Sequence, residues 1–177
     1  IGFTIGPLLN AAGRIDNMTI GIEALLSDDP NETDQYAREL YQLNQERKAL
    51  EQEARVSADE VLDELTVDES DALYSISLYD EAWHQGITGI VASRIKDQYF
   101  RPTFIFAYDS EGMIKGSGRS IDGIHLRDMI SNVATENRGL IATFGGHAMA
   151  AGLSLPEDHF EDFKQLIDKE IAKHADH

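Results

Sequence analysis

The sequence contains no cysteine. Disulfide bonds and thiolate metal sites are therefore excluded, and the composition fits a reducing cytoplasm. The sequence also has no run of 18 apolar residues, no signal peptide and no basic targeting segment, so it predicts neither a membrane span nor export. From these absences we expect a cytoplasmic protein that has no membrane partner.

Several catalytic signatures are absent as well. No serine stands in the sharp elbow that a hydrolase triad uses, and neither a Walker motif nor a dinucleotide-binding glycine pattern occurs. Acidic residues are plentiful, but no spacing gathers them into a metal-binding cluster. The sequence therefore predicts no metal ligand within this chain.

Positive charge is scarce, because 15 Lys and Arg residues stand against 32 Asp and Glu residues, a formal net charge of −17. This balance argues against a nucleic-acid partner, since phosphate binding relies on Lys and Arg. The charge is uneven, however: the segment from Asp28 to Asp71 holds 15 acidic and 4 basic residues, a net of −11. An arginine cluster elsewhere can still dominate a cleft, so bulk charge leaves the question open.

One long amphipathic helix is predicted over roughly residues 33–65, where apolar residues recur at intervals of three, four or seven. Its apolar stripe is narrow, which suits a helix that spans between two bodies. We therefore divide the chain into a lead-in at 1–31, a connecting helix at 32–70 and a compact domain at 71–177. Because the chain opens on Ile1 rather than Met, we expect it to be a fragment of a longer protein.

Strand-like and helix-like patterns alternate after residue 71. Strands are predicted within 72–79, 102–109, 113–120 and 150–156, and helices within 86–99, 124–134 and 157–175, while 139–144 is apolar and ambiguous. A turn at Glu111-Gly112 implies at least one antiparallel pair. The expected fold class is α/β, with a mixed β-sheet flanked by helices and preceded by the long connecting helix.

Two phrases early in the chain offer possible anion contacts. In NAAGR, the guanidinium of Arg14 presents a planar fork to a phosphate or carboxylate, although a surface ion pair explains these five letters more simply. In WHQGITG, open backbone at a strand-to-helix turn allows an anion to approach N–H groups. There, His84 is either part of that site or a satisfied turn residue.

Two later phrases are richer in glycine. In GSGRS, backbone N–H groups, the hydroxyls of Ser117 and Ser120 and the guanidinium of Arg119 can converge on an oxyanion, and we favour this over a plain glycine-rich turn. In FGGHAMAAG, a double glycine permits backbone geometry barred to other residues, and the alanines keep the approach clear. His147 can then exchange a hydrogen bond with a group that lies against that backbone.

Taken together, PLLNAAGRI, WHQGITGIVASRI, GSGRSIDGIHLRD and FGGHAMAAGLSL resemble, in order and separation, motifs of the RecJ family of single-strand-specific exonucleases, within the DHH phosphoesterase superfamily. The resemblance covers essentially the whole chain. The last motif alone is shared by other DHH phosphoesterases, whereas the set of four is specific to RecJ. One departure is Leu8, which stands where many relatives carry a basic residue.

The resemblance implies a 5′-to-3′ exonuclease that removes nucleotides from single-stranded DNA in repair and recombination. Residues 1–31 would end a DHH domain, and 71–177 would form the DHH-associated domain. Two manganese or magnesium ions would be held by the missing DHH domain of the same chain, and this fragment would bind none. We therefore expect the fragment alone to be inactive.

The same resemblance assigns the site residues, which would face the metals across a cleft. His147 is the candidate catalytic residue, and the candidate phosphate-binding residues are Arg14, His84, Ser117, Gly118, Arg119, Ser120, Gly145 and Gly146. Two other functions remain open. One is the associated domain of another DHH phosphoesterase that acts on short oligonucleotides or nucleotide phosphates, and the other is a non-catalytic nucleotide-binding module.

Overall fold

The computed structural model describes residues 4–64 and 73–174. Its chain divides into two compact units, Ile1–Glu53 and Ala54–His177, which are described separately below. Within the described residues, no helix combines the length and the apolar character that a membrane span requires. The predicted division into 1–31, 32–70 and 71–177 separates segments by their expected roles, whereas the two units are separated by how compactly they pack. The predicted division therefore stays a prediction.

The first unit packs two short helices against a longer one. Helix α1 covers Ile5–Ile15, and α2 covers Thr19–Leu26. Helix α3 covers Pro30–Glu64, and its residues up to Glu53 belong to this unit. The core consists of Ala11, Ala12, Leu40 and Leu43, with Leu8, Leu9, Ile20 and Ala24 packed around it. The small residues of NAAGR therefore lie within α1, where two fully buried alanines let neighbouring side chains approach the backbone closely.

The predicted long helix is confirmed as α3, which starts at Pro30 and ends at Glu64. Proline suits the first helical position because its missing N–H would be unsatisfied there anyway. Just before it, the Asp29 carboxylate accepts a 2.8 Å hydrogen bond from the Asn31 N–H and so satisfies one of the free donors of the first turn.

The second unit contains a five-stranded sheet in the order β1-β2-β3-β5-β4. The strands are β1 Ile76–Tyr79, β2 Thr103–Ser110, β3 Met113–Arg119, β4 Thr143–Gly146 and β5 Ala150–Pro156. The pair β1–β2 is parallel and the other three pairs are antiparallel, so the predicted mixed sheet is confirmed. The predicted turn lies between β2 and β3, where Gly112 has φ +68°.

Three helices flank this sheet: α4 Thr88–Tyr99, α5 Leu126–Glu136 and α6 Phe160–Ala172. Short 3-10 turns at Gln85–Ile87 and Glu157–His159 lead into α4 and α6. The ambiguous stretch 139–144 is mostly irregular, and only its last two residues enter β4. The α/β fold class with flanking helices is thus confirmed.

The larger core lies between the sheet and the helices α5 and α6. Phe104 and Phe106 of β2 each meet Phe163 of α6 edge-on, with ring centroids 5.4 Å apart in both pairs. A polar contact also joins the two helices, because the Asn132 amide donates to the Glu170 carboxylate over 2.7 Å. A hydrogen bond from Lys173 lowers the pKa of Glu170, which stays ionised at neutral pH although it is 5% exposed.

Candidate phosphate-binding site

Strand β3 presents different chemistry on its two faces. A Cβ added at Gly116 would lie 2.5 Å from the Phe106 ring, and one added at Gly118 would lie 2.7 Å from the Leu126 side chain. Both glycines therefore face the core that the sheet forms with α5 and α6. Side chains alternate along a strand. Lys115, Ser117 and Arg119 therefore point together to the opposite face.

The N-terminus of α4 packs against this second face. The Ser117 Oγ lies 2.9 Å from the Thr88 Oγ1, and either hydroxyl can be the donor. The Thr88 hydroxyl, however, donates its single proton to the Gln85 carbonyl over 3.0 Å, so Ser117 is the donor in this pair. A Cβ added at Gly89 would lie 2.6 Å from an Arg119 guanidinium nitrogen, so Arg119 rests against backbone that carries no side chain.

The sheet register places small residues beside Ser117. Ser117 pairs with Gly152 of β5, and Gly152 pairs with Gly145 of β4. Both glycines are exposed, and nothing lies within 4 Å of a Cβ built at Gly145. We call this partly uncovered surface the open sheet face and define it by Lys115, Ser117, Arg119, Thr143, Gly145, Ala150, Gly152 and Ser154.

The hairpin between β4 and β5 brings His147 to the same end of the sheet as Arg119. The His147 N–H donates to the Ala150 carbonyl over 2.8 Å, and Ala150 pairs with Arg119. Gly146 has φ +145°, and a Cβ there would lie 2.5 Å from the Ala150 carbonyl oxygen. Only glycine suits that turn, and His147 is left exposed.

The loop that follows Gly146 is tied to the segment after β3. The Ser120 N–H donates to the Met149 carbonyl over 3.0 Å, and the Leu126 N–H donates to the Ala148 carbonyl over 2.8 Å. These bonds couple the FGGHAMAAG loop to the end of GSGRS. Two phrases that lie about 25 residues apart in the sequence thus form one structural unit.

Three of the four phrases therefore meet on one surface, but not all the predicted residues face it. The Ser120 side chain is 1% exposed and donates to the Ile124 carbonyl over 2.7 Å, which is a turn-stabilising bond. Gly118 lies over the core. His84 is half-buried, and its Nδ1 accepts from the Gly86 N–H over 3.0 Å at the turn that leads into α4.

Arg14 belongs to the first unit. It lies in the last turn of α1 and is exposed. Its proposed phosphate contact, like the roles of the other predicted site residues, stays a prediction.

Sequence reasoning missed several residues of this site, among them Lys115, Thr88, Gly89 and Gly152. Lys115 stands two positions before Ser117 and four before Arg119, so strand alternation in MIKGSGR could have added it to the same face. Thr88 and Gly89 lie within a phrase that was singled out, but their contact with β3 requires the packing of α4. Gly152 required the β3–β5 register, which no local pattern encodes.

The residues that define the open sheet face include two cations and no carboxylate, although the chain carries a net charge of −17. The Arg119 guanidinium also donates to the Gly118 carbonyl over 2.8 Å, which helps to hold its orientation. Throughout residues 4–64 and 73–174, no group of three or more His, Cys, Asp and Glu side chains is placed to hold a metal ion. The described surface thus suits an anion.

Comparison with known proteins identifies close similarities. The family model described as DHHA1 domain matches residues 70–173. The chain is 49% identical over 176 residues to the single-stranded-DNA-specific exonuclease RecJ of Haemophilus influenzae, an alignment that covers 99% of this chain and 31% of that protein.

Solved structures give the same picture. The crystal structure of RecJ from Thermus thermophilus in complex with Mg²⁺ superposes with a TM-score of 0.81 at 32% identity, over 97% of this chain and 25% of that one. The corresponding Mn²⁺ complex also has a TM-score of 0.81 at 32% identity, over 97% of this chain and 24% of that one. The chain therefore spans about a third of its sequence relative and about a quarter of these two structures.

Proposed function

Because the chain belongs to the DHHA1 domain family, we propose that it is the strand-positioning part of a single-stranded-DNA-specific 5′-to-3′ exonuclease. In the complete enzyme, a DHH domain of the same chain holds manganese or magnesium ions, and this part binds none. The enzyme works in the cytoplasm, in DNA repair and recombination. The names and metal complexes of the RecJ relatives support this proposal.

The observation that carries the proposal is the open sheet face. Arg119 offers a guanidinium fork, Ser117 a hydroxyl, and Lys115 a further positive charge on the same side of one strand. Phosphate oxygens accept hydrogen bonds from all three groups, and Ser117 donates to one by turning its proton away from the Thr88 hydroxyl. The neighbouring Gly145 and Gly152 leave room for a strand to lie directly against the backbone.

This geometry favours a role in orienting the strand. Arg119 and Ser117 neutralise and fix a phosphodiester, and His147 lies at the same end of the sheet, where it can hydrogen-bond to the reacting group. When bound by the DHH domain, the metal ions supply an activated water. Arg14 and His84 are further phosphate contacts in this proposal, whereas Gly118 and Ser120 shape the end of β3.

The test is the affinity of the intact enzyme for a single-stranded oligonucleotide, measured in EDTA so that the strand is not degraded. Arg119→Ala should weaken binding by roughly tenfold to a hundredfold, because a hydrogen bond to a charged group is lost. Its control is Arg138→Ala, which removes an exposed arginine in the loop after α5 and should leave affinity unchanged.

Thermal unfolding should show that both variants stay folded. If Arg119→Ala binds the strand as tightly as the unmodified enzyme does, the open sheet face is not the phosphate site.

A further inference from the structure

A cleft lies at the end of β3, next to the open sheet face. Its volume is about 370 Å³, and it is lined by Lys96, Asp97, Phe100, Ile121, Asp122 and Met149. This volume falls within the range of small-molecule sites. None of the motifs from the sequence accounts for the aromatic residue in this cleft.

Phe100 occupies an unusual backbone position. It follows α4 with φ +53° and ψ +42°, and among residues 4–64 and 73–174 it is the only non-glycine residue with positive φ. Its N–H donates to the Lys96 carbonyl over 2.8 Å and so ends the helix. Glycine is the usual residue in this left-handed position, because a side chain there is strained.

Within the part of the chain that the structure describes, packing does not explain why a phenylalanine stands there. Its side chain is 77% exposed, so the strained backbone gains almost no buried apolar surface in return. Residues held in strained backbone regions concentrate at functional sites. An exposed ring at a position that favours glycine therefore suggests a ligand that packs against the ring.

Met149 forms part of the same cleft, and it connects the cleft to the phosphate site. Its side chain is 44% exposed. Its carbonyl accepts from the Ser120 N–H, and Ser120 directly follows Arg119 in the chain. Met149 therefore connects this cleft to the end of β3, where Arg119 lies.

The charges of the cleft favour a base over a phosphate. Lys96 is paired with Asp97 at 2.6 Å, and Asp122 is exposed at the same cleft, so two carboxylates stand against one lysine. Carboxylates repel phosphate but accept hydrogen bonds from the exocyclic amino groups of bases. Phe100 supplies a flat apolar ring, and Met149 and Ile121 supply aliphatic surface.

We infer that this Phe100–Met149 cleft holds one nucleobase of the strand whose phosphate lies at Arg119. The inference rests on the proposed function and adds a base-stacking subsite to it. Stacking on an aromatic ring tolerates every base, because each base has a π-face. The subsite therefore requires an unstacked base without requiring a particular sequence, which favours single strands over duplexes.

An abasic scan of the intact enzyme in EDTA tests this inference. A set of oligodeoxycytidylates is prepared in which one abasic residue is moved along the strand from the 5′ end. The unmodified enzyme should lose about tenfold in affinity when the abasic residue reaches one particular position, as expected for one stacked base. Phe100→Ala should bind the intact strand about tenfold more weakly and should no longer respond to the abasic residue at that position.

Two variants separate stacking from folding. Phe100→Gly should bind as weakly as Phe100→Ala, yet its unfolding temperature should be unchanged or higher, because glycine relieves the strained backbone. Tyr108→Ala removes another exposed aromatic ring, near the opposite end of β2, and should keep the full response to the abasic residue.

The outcomes distinguish the two proposals. If the unmodified enzyme binds the strand but Phe100→Ala keeps the same abasic sensitivity, the base subsite is wrong and the phosphate site stands. The same conclusion follows if Phe100→Ala only lowers the stability of the enzyme, since the ring then contacts another part of the protein. If the unmodified enzyme does not bind single strands, the proposed function fails and the subsite fails with it.

Discussion

The two faces of β3 show how one short phrase meets two demands. On one face, Gly116 and Gly118 lie against Phe106 and Phe104, where any side chain would collide with the core. On the other face, Ser117 and Arg119 contact the N-terminus of α4, and Lys115 points to the same side. The same strand therefore contributes to the fold through its glycines and to the candidate site through the residues between them.

The same contrast holds across the β4–β5 hairpin. Gly146 pairs with Ala151 of the core face, whereas Gly145 pairs with Gly152 of the open sheet face. Position 146 requires glycine because its φ is +145°, whereas a Cβ built at Gly145 meets no atom within 4 Å. Gly146 is thus needed for the backbone conformation of the turn, whereas Gly145 keeps the open sheet face free of a side chain. Substitutions can separate these two roles.

The largest expected difference lies between these two glycines. Gly146→Ala places a Cβ 2.5 Å from the Ala150 carbonyl oxygen at φ +145°, and it should destabilise the fold by about 3 kcal/mol or more. Gly145→Ala meets no atom within 4 Å and should cost less than about 1 kcal/mol, yet its methyl group should weaken strand binding. Chemical denaturation and oligonucleotide affinity measure the two effects. Equal unfolding free energies of the two variants would show that Gly146 is no more important for the fold than Gly145.

A smaller difference is expected within β3. Gly116→Ala overpacks the core against Phe106 and should destabilise the fold by about 1–3 kcal/mol. Ser117→Ala removes a hydroxyl contact with Thr88 and should cost about 1 kcal/mol or less, while strand affinity falls. For both variants, the unfolding free energy and the affinity for a single-stranded oligonucleotide are measured. Normal strand affinity in Ser117→Ala would show that this hydroxyl does not bind the phosphate.

Most of the fold could be predicted from the sequence, because its signals are local. The long helix carries its own periodicity over many turns, and Pro30 sits at its first position. The turn at Glu111-Gly112 has a glycine at positive φ, as turn chemistry requires. The short strand β4 was ambiguous, because an apolar run of six residues is compatible with several structures.

The candidate site was only partly predictable, because its geometry depends on contacts between distant segments. The glycine-rich phrases identified Ser117, Arg119, Gly145 and His147, because these phrases combine glycines with polar side chains that core packing does not require. Composition could not show that Ser120 turns inward to the Ile124 carbonyl. Likewise, the place of Gly152 depends on strand register, and the exposed Phe100 carries no motif at all.

In the proposed function, single-stranded DNA lies on the open sheet face. The most direct measurement is a titration of the ¹⁵N-labelled 177-residue chain with a short oligonucleotide, followed by amide chemical shifts. The largest shifts are expected at Ser117, Gly145 and Gly152, with little change along α5 and α6. Shifts confined to α5 and α6, with those three amides unmoved, would contradict it.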